Sequence, residues 1–440
     1  MPDFARSSSP DVQAQLDRLW ALSPGADILG LGRITRLLDR VGNPQAHLPP
    51  VLHVAGTNGK GSTCAFLRAA LEAAGHRVHV YTSPHLVRFN ERIRLAGQLI
   101  DDALLATLLA EVLDAGADIG ASFFEVTTAA AFLAFARVPA DACILEVGLG
   151  GRLDATNVIP RPLVTGIAQL GIDHQQFLGN TAAAIAAEKA GIARRAVPLV
   201  TMQYPPATMA AVDAVAARAG AAVKMLSRDW DVRIGETLHY RDAQGVVETP
   251  LPRLPGQHQG QNLGLAIAML RHQSVLAVPG AAFAEAALRA SWPARMQRLA
   301  PGPLTKLLPP GSALWLDGGH NPAAALAVSA AARAEASGRR LHLVLGMLAN
   351  KDAHGLLAVF APIAASLHAV PVADHACHLP EALVEAAQAL GLPARTSANV
   401  ADALRSIASE ASADAPPVVL ILGSLYLAGE VLAANGQEPV

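Results

Sequence analysis

Short apolar runs alternate along this chain with longer segments whose apolar residues recur every three or four positions. That is the pattern of buried strands covered by helices. Apolar runs occur at 51–55, 78–81, 141–147 and 163–167, and again at 313–317, 341–346, 366–370 and 418–423. Between 11 and 42 the stripe Leu16, Leu19, Trp20 and the stripe Leu31, Ile34, Leu37, Leu38, Val41 predict two helices. A further helix is expected from Ser62 to Ala74, stopped by Gly75. Asp101 and Asp102 stand just before Leu104, Leu105, Leu108 and Leu109, where helix capping accounts for them. Residues 230–249 alternate instead, which predicts a small antiparallel insertion turning at Asp242 to Gly245. The segment 299–304, rich in Pro and Gly, is the best linker. The expectation is therefore an α/β protein: a parallel-sheet domain over 1–298, then a smaller Rossmann-like α/β domain over 299–440.

Composition narrows the class. With 440 residues, 52% hydrophobic and 16% charged, the chain can bury more than one core. A formal net charge of -2 gives no global attraction to nucleic acid or an anionic membrane, so small-molecule partners are expected. Its three cysteines, Cys64, Cys143 and Cys377, are far apart, which fits neither a disulfide framework nor a structural zinc site and suits a reducing cytoplasm. The first ten residues lack the apolar centre of a signal peptide, and no later run is long enough to span a bilayer.

Chemistry concentrates where apolar runs end. The first run passes into Gly56, Thr57, Asn58, Gly59, Lys60, Gly61 and Ser62. Glycines let backbone N–H groups approach an anion, lysine reaches β and γ phosphates, and a hydroxyl can hold magnesium. The spacing is altered from GxxxxGK[ST], since Gly61 separates Lys60 from Ser62; a nucleotide-phosphate loop and an ordinary turn are the two readings. Ser83, in a polar turn beside Pro84, is either a metal ligand or a turn former. Glu146 ends a buried strand and precedes a glycine-rich loop, as a metal- or phosphate-site carboxylate or as half of an ion pair. In an open parallel sheet it shares the rim with Lys60 and Ser62. Asp173 and His174 follow the next strand, and a hydroxyl, carboxylate and imidazole set suits Mg²⁺ or Mn²⁺. By residue type alone, Arg88, Arg92 and Arg94 read as a solvated basic face, and Glu188 with Lys189 as a surface pair. Asn262 sits in a polar helix start with Gln257, His258 and Gln261, as a cap or a base-recognition amide. Asn321 and Pro322 suit an N-cap and first helical turn.

Several motifs occur together: HVAGTNGKGS from His53, TSPHL from Thr82, FFE from Phe123, EVGLGGRLDATN from Glu146, GIDH from Gly171, EKAGI from Glu188 and LDGGHNP from Leu316. In combination the chain resembles the folylpolyglutamate synthase and dihydrofolate synthase family, within the wider group of ATP-dependent amide ligases that includes the muramyl ligases. LGMLANKD from Leu345 and LGSLYLAGEVL from Leu422 carry the resemblance to the chain's end. It implies a cytoplasmic, monomeric enzyme of folate biosynthesis and polyglutamylation, acting on dihydropteroate or reduced folate with L-glutamate, ATP and Mg²⁺. It further implies Thr57 to Ser62 as the ATP loop, Ser62 and Glu146 as ligands of the ATP-bound magnesium, and Ser83, Glu146 and His174 as a second magnesium set. Lys60, Lys189 and His174 become the catalytic group, with Lys189 matching a carbamylated lysine. Asn262, Arg295, Asp317 and His320 match nucleotide contacts; Ile28, Leu29, Gly30, Phe123, Phe124, Leu153, Asp154 and Ala155 match pterin contacts. The chain departs from the family's pattern at Ala294, commonly glycine, at Gly319, commonly alanine, and at Asn350, commonly aspartate. The rival readings are a muramyl-type ligase acting on another carboxylate and a P-loop NTPase switch that needs no glutamate.

Overall fold

A computed structural model describes residues 6–22, 29–412 and 415–439. The chain falls into two compact units, Met1–Arg253 with Gln259–Ser291, and Leu254–His258 with Trp292–Val440.

The first unit is built on eight strands: β1 Val51–Ala55, β2 Val78–Tyr81, β3 Ile93–Leu95, β4 Gln98–Leu99, β5 Ala142–Glu146, β6 Val164–Ile167, β7 Pro198–Thr201 and β8 Ala222–Met225. Their order is β4-β3-β2-β5-β1-β6-β7-β8. From β2 to β8 all neighbours pair in parallel, while β3 and β4 add an antiparallel edge. All five residues of β1 are buried, as helices on both faces of a central strand require. The register aligns Val54 with Glu146 on one side and Ala55 with Ile167 on the other. The order switches at β1, since β2 lies beyond β5 and β7 beyond β6. Such a switch point opens a crevice at the carboxyl ends of the strands. The first helix after β1 spans Lys60–Ala73, beginning before the expected Ser62 because Gly59 turns the chain in a left-handed conformation. Helices Pro10–Leu22 and Gly32–Arg40 pack with Asp102–Gly116 and Phe123–Arg137 over one sheet face. The expected cap holds, with the Leu104 N–H donating to Asp101 at 2.8 Å.

Residues 230–250 form the expected antiparallel insertion, β9 Trp230–Ile234, β10 Thr237–Asp242 and β11 Gly245–Pro250.

The second unit carries β12 Gln297–Arg298, β13 Ala313–Leu316, β14 Leu341–Leu345, β15 Ala364–Ala369, β16 Ala394–Thr396 and β17 Val418–Leu422, in the order β12-β13-β17-β14-β15-β16. The division between units lies at 291/292 rather than at the expected 298/299. The reason is β12, whose Gln297 and Arg298 pair antiparallel with Leu316 and Trp315 and so extend the second sheet. Two polar residues in a tight turn carry no strand signal of their own. Asn321 caps the helix Pro322–Ala336 as expected, accepting from the Ala324 N–H at 2.8 Å. Among the described residues no helix is long and apolar enough to cross a membrane.

Candidate active site

The rim of the first sheet gathers the phosphate loop, Ser83 and Glu146. Gly59, at φ +83, lies where a Cβ would stand 2.5 Å from Asn262 Oδ1, so only glycine fits between the loop and that amide. The Asn262 amide is buried and donates to Gln259 at 3.0 Å, so it braces the loop from the side. Thr57 and Asn58 donate their backbone N–H groups to Gln169 O at 2.9 and 3.1 Å, and the Thr57 hydroxyl donates to Gly171 O at 3.0 Å. The loop is thereby tied to the chain leaving β6. Gly61 and Ser62 are buried in the first helical turn.

Lys60 Nζ stands 4.0 Å from Glu146 Oε1 and 3.4 Å from Thr57 O. The Ser83 N–H donates to Glu146 Oε2 at 3.4 Å. Both distances to Glu146 are long for charge-assisted bonds. Glu146 is only 4% exposed, and a carboxylate so buried suits a cation beside it. Ser83 thus meets Glu146 where β2 and β5 end, and Ser62 lies in the first turn of the helix after β1; a hydroxyl and carboxylate set of this kind would suit Mg²⁺ or Mn²⁺. His174 stands after β6 in a left-handed conformation at φ +51, its N–H donating to Asp173 at 2.8 Å. Among the described residues no three His, Cys, Asp or Glu gather as a metal cage.

Lys189 is not the surface lysine that its neighbours suggest. It is 4% exposed and donates to Gly56 O at 2.9 Å, directly behind the phosphate loop. Burial, and then the nearby Lys60 charge, push its pKa down to about 7. Glu188 turns outward instead, to Arg152 at 2.9 Å. Arg92 also corrects the expected solvated face: it is 1% exposed, donates to His85 Nδ1 at 2.9 Å, and lies 5.3 and 5.5 Å from the Phe89 and Phe123 ring centres.

The residues matched to pterin contacts separate. Phe123 belongs to the core, 6% exposed, stacked on Trp20 at 5.0 Å and edge-on to Phe89 at 6.0 Å. Phe124 lies at the rim, where a Cβ on Gly148 would meet its ring at 2.5 Å. Asp154 is buried, and its carboxylate accepts from the Leu149 N–H at 2.8 Å, from the Thr156 N–H at 3.0 Å and from the Thr156 hydroxyl. Its oxygens hold the loop itself. Burial raises its pKa, and these hydrogen bonds oppose the rise. Leu153 is partly exposed and Ala155 buried beside it. Leu29 and Gly30 are partly buried, whereas Ile28 lies outside the described residues.

In the second unit Asp317 accepts from the Met296 and Gly319 N–H groups, both at 2.7 Å, and Arg295 donates to Ala294 O at 2.8 Å. His320 Nδ1 pairs with Gly318 O at 2.8 Å. Asp317 therefore organises its own turn. Ala294 adopts φ +54, a conformation suited to the glycine common at that position. Asn350 is exposed. His53 and Thr156 are buried and paired at 2.8 Å, a contact not legible in the sequence.

The chain is similar to known proteins. Residues 305–425 match the model of the Mur ligase, glutamate ligase domain. A P-loop sheet followed by such a domain defines an ATP-dependent amide ligase. Over 418 residues the chain is 32% identical to the dihydrofolate synthase/folylpolyglutamate synthase of Bacillus subtilis (strain 168), covering 91% of this chain and 94% of that protein. E. coli FolC, solved in complex with DHPP and ADP, matches with a TM-score of 0.87 at 32% identity over 98% of both chains. The Yersinia pestis bifunctional folylpolyglutamate synthase/dihydrofolate synthase, solved with AMPPNP and a Mn ion, matches at 0.85 and 31% identity, over 98% of this chain and 99% of that one. The chain belongs to the dihydrofolate synthase/folylpolyglutamate synthase family.

Proposed function

We propose that the protein joins L-glutamate to the carboxylate of dihydropteroate, of a reduced folate, or of both, at the expense of ATP. The observation that carries this reading is the pairing of Lys60 with Glu146 at 4.0 Å on the switch-point rim, with the Lys189 amine buried behind the loop. In this reading a carboxylate oxygen of the pterin substrate attacks the γ-phosphorus of ATP, the bond to the ADP oxygen breaks, and an acyl phosphate forms. The neutral α-amine of glutamate adds to the acyl carbon, its proton is lost, and the C–O bond to phosphate breaks to leave an amide.

The backbone amides of Gly59 to Gly61 cradle the phosphates, those of Thr57 and Asn58 being engaged by Gln169 O, and the Lys60 ammonium offsets charge gathering on the transferred group. Ser62, Ser83, Glu146 and His174 would hold magnesium, which when bound supplies further neutralisation of phosphate oxygens. Lys189, with a pKa near 7, carries a large neutral fraction at neutral pH. Its amine nitrogen can bond to the carbon of CO₂, losing a proton and becoming an anionic carbamate, the modification the resemblance implies. Assignment of Asn262 to the nucleotide is supported by its seat against Gly59; that of Arg295, Asp317 and His320 rests on the resemblance.

The test is product identification by mass after incubation with Mg-ATP and L-glutamate, adding dihydropteroate, tetrahydrofolate or a muramyl precursor in separate reactions. The expected product is a pterin substrate extended by glutamate, with ADP. Extension of the muramyl precursor alone, or ADP release indifferent to glutamate, overturns the reading in favour of the muramyl-type ligase or the NTPase switch.

A further inference from the structure

The loop from Gly148 to Arg152 leaves β5 immediately after Glu146, passes the Phe124 ring, and reaches the helix carrying Lys189, where the Arg152 N–H donates to Glu188 O at 2.8 Å. Its position therefore bears on the rim beside Phe124. A buried chain of polar groups holds it from below. His53, in the middle of β1, pairs through Nε2 with Thr156 Oγ1 at 2.8 Å; the Thr156 hydroxyl donates to Asp154 Oδ1; and Asp154 Oδ2 accepts from the Leu149 N–H at 2.8 Å. His53, Thr156 and Asp154 are 1%, 0% and 3% exposed.

The direction of this chain follows from proton counting. An ionised carboxylate only accepts, and a threonine hydroxyl has one proton to give. Thr156 gives it to Asp154, so the bond from His53 must be donated by Nε2–H. That requires the neutral imidazole in its Nε2–H tautomer, and full burial supports neutrality by lowering the His53 pKa to about 3.

We propose that His53 and Thr156 are positioning residues of the ligase reaction, acting through Asp154 to fix the Gly148–Arg152 loop for the pterin substrate. The proposal rests on the ligase reading above. The chain fixes loop geometry at the substrate side of the rim and leaves the phosphate cradle to Thr57, Asn58 and Asn262. Its loss therefore separates pterin recognition from nucleotide binding.

The experiment compares Thr156→Val with Thr156→Ser, and His53→Leu with His53→Gln, in the full chain. Wild-type ligation is established first, so a failure of the functional reading shows before any variant is made. Thr156→Val, which keeps shape and loses the hydroxyl, is expected to raise the pterin KM about tenfold, the effect of one buried hydrogen bond, with ADP affinity unchanged. Thr156→Ser restores the wild-type KM. His53→Gln, whose side-chain amide can still donate, stays nearer the wild type than His53→Leu does. If Thr156→Val fails to fold, the His53 pair decides by the same readings. An unchanged pterin KM in Thr156→Val and His53→Leu overturns the proposal, as does a loss of ADP affinity equal to the rise in pterin KM.

Discussion

Replacing Gly59 by alanine tests the phosphate loop where its geometry is tightest. At φ +83 a non-glycine residue carries a cost of about 1–2 kcal/mol. The added Cβ would also stand 2.5 Å from Asn262 Oδ1, so the amide must move and weaken its 3.0 Å bond to Gln259, about 1 kcal/mol more. In the absence of nucleotide the variant loop can relax away from both penalties. Phosphate binding must restore the cradle, so the cost of about 2–3 kcal/mol appears as affinity, a roughly 30- to 150-fold rise in the Kd for ADP. Isothermal titration calorimetry with ADP measures it. In an Asn262→Ala background the clash is gone, and the added effect of Gly59→Ala should shrink by about 1 kcal/mol, the coupling term of a double-mutant cycle. An ADP affinity within threefold of wild type in Gly59→Ala would refute the reasoning.

Lys60→Ala should abolish glutamate ligation while leaving the thermal transition near that of the wild type, since Lys60 is partly exposed and its ion pair is long; measured turnover at the wild-type rate removes the phosphate-loop assignment. Lys189→Ala should lose ligation and regain part of it with added short carboxylates; activity that survives without rescue removes the carbamate. Ala294→Gly should raise the guanidinium midpoint by a gain of about 0.5–1 kcal/mol, the relief of a left-handed alanine less the greater freedom of glycine in the unfolded chain; an unchanged or lower midpoint contradicts it. Burial lowers the pKa of His53 to about 3 and that of His368 to about 4 from 6.5. Both are depressed in the fold, so their stability is complete above about pH 6.5 and is lost as pH falls below it, about 2 kcal/mol for each by pH 5. Denaturation at pH 7 and pH 5 checks this, and His368→Gln should show a visibly smaller loss than wild type.

The alternation of strands and helices, the rim position of Lys60 and Glu146, and the caps at Asp101 and Asn321 were legible because each depends on neighbours a few residues away. Lys189 was legible only through the family motif. Its burial comes from a helix that returns to Gly56 across 133 residues, and Glu188 beside it gives the ordinary signal of a surface pair. Arg92 misled for a similar reason: three arginines in a short stretch read as solvated, yet the rings of Phe89 and Phe123 enclose the middle one. The packing of Phe123 on Trp20 and the bond from the Leu149 N–H to Asp154 were not legible either, since no local pattern announces them. A lone histidine within an apolar strand gives no sign of its partner, so His53 could not be joined to Thr156 from sequence. The strand β12 escaped because two residues beside a linker make no periodic pattern.

The parallel register of β1 between β5 and β6 also sets an order of events. Val54 meets Glu146, and Ala55 meets Ile167, only after the intervening crossovers have folded back, contacts of long sequence separation that form slowly. The rim cannot exist in a nascent chain that has not yet supplied β6. A nucleotide therefore finds no purchase on early intermediates and stabilises only the completed sheet, by an amount that grows with its concentration over Kd. For this protein the supply of ATP then adds to the stability of the folded state as well as setting its turnover.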